Sequence, residues 1–119
     1  DYTTKVLIEA NCALDMARTM IVPAVKQEYR ETIEAYNQTD ASNLKGAIDV
    51  LKDEVTRLGD GLTAAEAAVA RLQKAVKDAD PEAALAEMSA LRETVDALES
   101  EVADEKWPLP KYREMLFVY

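Results

Sequence analysis

No histidine occurs anywhere in this 119-residue chain. That absence removes the usual imidazole bases, the Ser-His-Asp type of triad and the commonest zinc sites. It also rules out the inward-facing Glu-x-x-His pairs that di-iron and di-manganese bundles need. Glycine is nearly as scarce. Gly46, Gly59 and Gly61 are the only three, and none lies between a strand and a helix, so no phosphate-cradling loop can be built. Cys12 is the sole cysteine and has no partner for an internal disulfide. Its place in the apolar run IEANCALDM predicts a small buried residue in a reducing, cytoplasmic setting. No apolar span reaches 18 residues, and no charged-then-apolar leader opens the sequence. The first residue is Asp1 rather than Met, which reads as a processed product or an excised piece of something longer.

What is present suits helices. The composition is 49% hydrophobic and 31% charged, a balance that argues for a soluble helical domain and against disorder. One domain is all that this length supports. The formal net charge of −9 repels phosphate backbones and anionic headgroups, which excludes nucleic acid and membrane surfaces as expected partners. Carboxylate pairs such as Asp49 with Asp53, or Glu99 with Glu101, read as exposed decoration on charged helices. Lys26 with Glu31, and Asp53 with Arg57, fit ordinary pairing along one helix. No catalytic, cofactor-binding or metal-ligating residue is assigned.

The periodicity predicts an all-α fold. A first helix is expected over about 4–36, with Leu7, Ala10, Leu14, Ala17, Ile21 and Ala24 marking one face. Val6, Ile8, Cys12, Met16, Met20 and Val22 add apolar surface on other faces, so this stretch needs cover on more than one side. Pro23 removes a backbone donor and clashes with the preceding turn, which predicts a kink there or a fresh helix start. The polar turn NQTDASN follows, in which Asp40 and Ser42 are both possible N-caps.

A second helix is expected over about 43–78. Leu44, Ile48, Leu51, Val55, Leu58, Leu62, Ala65, Val69, Leu72 and Val76 form a coiled-coil-like seam without a slip. Two local signals oppose it. Gly59 looks like a C-cap, and Thr63 with Glu66 looks like a capping box. Two interior glycines cost roughly 2 kcal/mol together. Two buried seam leucines at about 1.5–3 kcal/mol each offset that. One helix with a soft spot at 59–61 is therefore preferred to a broken one. Asp80 and Pro81 then open a third helix over about 81–105, with Leu85, Met88, Leu91, Val95, Leu98 and Val102 on its core face. Short connections make the neighbours antiparallel. The expectation is an antiparallel three-helix bundle with a long helical hairpin and a short C-terminal aromatic segment, including a short helix over about 110–116.

That last segment, WPLPKYREMLFVY, holds the only Trp and the only Phe of the chain. It reads as a plug over one end of the bundle and as an anchor for a partner. Trp107, Pro108, Leu109, Pro110, Tyr112, Leu116 and Phe117 are its packing or interface candidates. Met16, Met20 and Pro23 are those of the first helix.

IEANCALDMARTMIVPAV, MSALRETVDALE and WPLPKYREMLF, in this order, resemble the C-terminal helical region of type III glutamine synthetases. The resemblance implies a non-catalytic domain that follows a catalytic barrel. The parent would ligate ammonium to glutamate with ATP and Mg or Mn, and none of those cofactors would be held by this piece, which should be inert alone. Its partners would be the remainder of the synthetase and neighbouring subunits of a ring-shaped homo-oligomer. The 6–25 face and the aromatic segment would dock, and the hairpin would reach between rings. A free-standing coiled-coil interaction module, or the sensor bundle of a receptor, is the alternative.

Overall fold

The structure is a computed structural model, which describes residues 1–42 and 45–107. The expected helix start at residues 43–44 and the expected helix over 110–116 lie outside the described residues. Every regular element among the described residues is helical. They are α1 (Tyr2–Met16), a π-helical turn (Ala17–Ile21), α2 (Val22–Ala41), α3 (Ile48–Lys77), α4 (Pro81–Glu99) and a 3₁₀ turn (Asp104–Lys106). A helical bundle is the result, elongated to 62 × 27 × 18 Å.

α1 begins where its first orphan amides find a side chain. The Asp1 carboxylate accepts the Thr4 N–H at 2.8 Å, an N-cap that also places negative charge at the positive helix end. Pro23 is accommodated by the turn before it. The Val22 N–H donates to the Ala17 carbonyl, five residues back instead of four. That wider turn makes room for a residue that has no N–H and whose ring would crowd the carbonyl four positions behind it. The backbone at Ile21 and Val22 stays in the right-handed helical region, so α1 and α2 form one rod of about 60 Å.

α3 passes through Gly59 and Gly61 as continuous helix, and both glycines prove to be contact points. A Cβ at Gly59 would lie 3.3 Å from the Tyr29 ring of α2, and one at Gly61 would lie 2.3 Å from a Leu98 methyl of α4. The apparent capping box is not one. The Thr63 hydroxyl donates to the Gly59 carbonyl at 3.0 Å, bonding back along the helix. Nor do Asp40 and Ser42 cap α3. Asp40 lies within α2, Ser42 closes it, and the residue before α3 is Ala47, without a side-chain cap. Thr32, buried inside α2, is satisfied in the same backward fashion, its hydroxyl donating to the Glu28 carbonyl at 2.8 Å.

Pairings between the rods set their sense. Lys26 meets Glu66, while Tyr29 lies against Gly59. Arg57 bonds Glu101 at 3.0 Å and Arg71 bonds Glu87 at 2.7 Å. Position numbers therefore rise along one rod as they fall along its neighbour. These partners also correct two expected pairs. Lys26 turns to Glu66 of α3 and Arg57 to Glu101 in the segment after α4, each a carboxylate offered across the interface by a neighbouring part of the chain.

The core runs through all three rods: Ala10, Leu14, Ile21 and Val25 from the first, Leu58, Ala65, Val69 and Leu72 from α3, and Leu91, Val95 and Leu98 from α4. Leu85 departs from its expected core position and is 40% exposed. Ala84 takes its place at the first turn of α4, fully buried.

The α3–α4 corner ends in a Schellman motif. The Asp80 N–H donates to the Ala75 carbonyl and the Ala79 N–H to the Val76 carbonyl, both at 3.0 Å. Ala79 holds the left-handed conformation, φ 53°, where a Cβ costs about 1 kcal/mol or more and glycine costs nothing. Asp80 then caps α4, accepting the Ala83 N–H at 3.1 Å. Ala79→Gly is expected to raise stability by about 0.5–1 kcal/mol, read as a higher urea midpoint at unchanged m-value.

Candidate functional site

Two surfaces hold the residues that the sequence singled out. The first is the outward face of α1. Val6, Ala10 and Leu14 point into the core, and the opposite stripe carries Ile8, Cys12 and Thr19 in helical register, flanked by Met16, Met20 and Pro23. Ile8 is 59% exposed and Met20 39%. Met16 is half-buried and Pro23 exposed. Cys12 is exposed too, against the expectation of a buried thiol. The apolar run around it wraps the whole helix, and the bundle covers only one side of that helix. Sequence alone shows that α1 is apolar all round but not which side the other rods leave open.

The second surface is the end of the described chain. Trp107 is buried at 8% exposure and belongs to the core cluster. Its indole Nε1 is buried with no hydrogen-bond partner among the described residues. Pro108, Leu109, Pro110, Tyr112, Leu116 and Phe117 lie outside the described residues. Just before Trp107, the Lys106 ammonium donates to Glu28 Oε2 at 2.7 Å and also pairs with Glu31. Lys106 and Glu28 are each largely covered. Hydrogen bonds to Glu28 and then Glu31 raise the Lys106 pKa well above its ordinary 10.5. A raised lysine pKa adds stability that is fully present below about 10.5 and is lost only as the pH climbs past that value towards the folded-state pKa. The clamp is thus intact across the ordinary pH range. It joins residues 78 positions apart, and only the one-face spacing of Glu28 and Glu31 hints at it in the sequence.

Little else at these surfaces could do chemistry. Among the described residues, no group of three or more His, Cys, Asp or Glu is placed to hold a metal ion. Asp49 and Asp53 are exposed, as expected of decoration. Glu99 is not, being 8% exposed. Glu101 is engaged by Arg57. No helix among the described residues is long and apolar enough to cross a membrane.

Two curated proteins are similar to nearly the whole chain. A type-3 glutamine synthetase of Dictyostelium discoideum is 30% identical over 134 residues, covering 98% of this chain. A glutamine synthetase of Bacteroides fragilis (strain YCH46) is 28% identical over 132 residues, again covering 98%. The chain spans 18% of the length of each. No family model matches it, and no solved structure does.

Proposed function

We propose, from the chain's resemblance to type-3 glutamine synthetases, that it is a non-catalytic helical domain at the C-terminal end of such an enzyme. It docks through the outward face of α1. The parent would join ammonium to glutamate at the expense of ATP, with Mg or Mn held by residues outside this chain. The observation that carries the docking role is the exposed stripe around Ile8, Cys12 and Met20, on the side of the first rod turned away from the buried core cluster. Full burial of a side chain the size of Ile or Met stabilises by about 1.5–3 kcal/mol. Ile8 and Met20 are partly covered already, so their docking would contribute about 2 kcal/mol together, or roughly a thirtyfold shift in a docking equilibrium. That suffices to hold a covalently tethered domain in place, because tethering makes the contact intramolecular. Projection of the α2–α3 hairpin beyond the end of α4 would suit contacts with neighbouring subunits. No observation favours the free-standing module or the sensor bundle.

The test uses the full-length parent. Ile8→Glu with Met20→Glu places two charges on the stripe while leaving the bundle core untouched. The expected result is a smaller assembly by mass photometry, or a loss of ligase activity, with the fold of the domain retained. Assembly and activity both equal to the unsubstituted enzyme would exclude this face as the docking surface.

A further inference from the structure

After α4 the chain crosses the bundle instead of running along it. Glu101 accepts a hydrogen bond from Arg57 of α3 at 3.0 Å. Five residues on, Lys106 donates to Glu28 of α2 at 2.7 Å and pairs with Glu31. Val102 lies between these anchors at 5% exposure, and Trp107 follows the second at 8%. The crossing marks a close approach of α2 and α3, where a Cβ at Gly59 would lie 3.3 Å from the Tyr29 ring. Tyr29 is next to Glu28, and Gly59 is two positions from Arg57. An ion pair therefore stands beside that contact on each rod.

Two features set residues 100–107 apart from the rods. Their backbone is tied by isolated turns, with the Glu101 N–H on the Leu98 carbonyl and the Lys106 N–H on the Ala103 carbonyl, both at 2.9 Å. The second feature is one cation facing two carboxylates. Glu28 and Glu31 are one helical turn apart on α2, and Lys106 pairs with both. The Lys106 and Glu28 side chains are only 21% and 17% exposed. Without the ammonium, the two carboxylates would repel each other, and Glu28 would be a covered charge with no cation beside it.

We infer that residues 100–107 form a strap, locked by the Lys106 charge, which opens as a unit while the helices stay formed. Segments with few backbone bonds and little buried apolar surface open at a lower cost than the whole domain. Here the burial of Val102 and Trp107 favours the closed strap, and Lys106 fixes it over α2. Closed and open are two states of one segment, and a single charge biases the balance between them. Opening uncovers Trp107 and releases Glu28 and Glu31 to solvent. This inference concerns the bundle itself and does not rest on the synthetase reading.

The 119-residue chain carries its own reporter, because Trp107 is its sole tryptophan. Lys106→Met keeps an apolar stem and removes the charge, whereas Lys106→Arg keeps the charge. In Lys106→Met, Trp107 emission is expected to move to the red and its quenching by acrylamide to rise about twofold or more. The far-UV circular dichroism should stay unchanged, and Lys106→Arg should match the unsubstituted chain in both signals. Unchanged emission and quenching in Lys106→Met would overturn the strap. A parallel loss of helical signal would overturn it too, since the segment would then open only with the bundle. An equal red shift in Lys106→Arg would overturn the charge as its lock.

Discussion

Leu72→Ala is expected to cost about 3–4 kcal/mol of folding stability, read from urea denaturation as a lowered midpoint. Leu72 is fully buried at the heart of the α3 seam, where α3 faces both neighbouring rods. Its loss combines the transfer free energy of the missing atoms with a cavity that three helices cannot close, since each is held by its own further contacts. Domains of this kind carry about 5–15 kcal/mol in all, so the variant would stand close to unfolding. Leu85→Ala is the control. That leucine is 40% exposed, and its removal is expected to cost under about 1 kcal/mol. Similar costs at the two positions would mean that the third rod is rotated from the arrangement described here.

The second large effect separates two glycines that look alike in the sequence. Gly61→Ala gains about 1 kcal/mol of helix propensity. It also drives a Cβ to 2.3 Å from one Leu98 methyl and 3.1 Å from its Cγ. Leu98 is 2% exposed, so either its side chain must shift within the core or α3 and α4 must separate. Overpacking of this kind costs about 1–3 kcal/mol or more, and a net loss of about 1–2 kcal/mol is expected. Gly59→Ala meets only the edge of the Tyr29 ring at 3.3 Å. Tyr29 is half-buried and can yield towards solvent, so the propensity gain should survive and leave this variant neutral or up to about 1 kcal/mol more stable. Thermal midpoints that move in opposite directions for the two variants are the expected signature. A stabilising Gly61→Ala would show that the α3–α4 interface is looser than its contacts indicate.

These two glycines also show where reading a sequence reaches its limit. The seam from Ile48 to Val76 kept its phase through RLGDGL, and phase was the sound guide to helix continuity, because a true turn is free to reset it. The same residues were expected to form a soft spot, since glycine's local cost is visible in sequence and its benefit is not. That benefit lies in another rod, with Tyr29 and Leu98. Leu85 and Ala84 teach the same lesson on α4. Both are apolar and neighbouring, so local pattern alone could not choose between them, and only the rotation of α4 in the packed bundle buried Ala84 and exposed Leu85.

The exposed stripe of α1 divides in the same way. That 6–25 carries more apolar surface than one interface needs was legible, as was the weight of Trp107. Which stripe stays open was not, because it depends on the rotation of α1 against α3 and α4. Cys12 was misplaced for that reason. Beyond the one-face spacing of Glu28 and Glu31, the Lys106 clamp left no sign in the sequence, because its partners are brought together only after the first rod and the third have both packed on α3.

By itself, the sequence determined the helical class, the number of rods, the Asp80–Pro81 boundary and the absence of imidazole chemistry. Each follows from residue type and local spacing, which act within a turn or two of the chain. The tertiary structure alone decided which apolar face is buried, what Gly59 and Gly61 meet on the neighbouring rods, and how Lys106, in the segment after α4, is fastened to α2. Those depend on distances between residues far apart in sequence, and such distances exist only once the rods have packed.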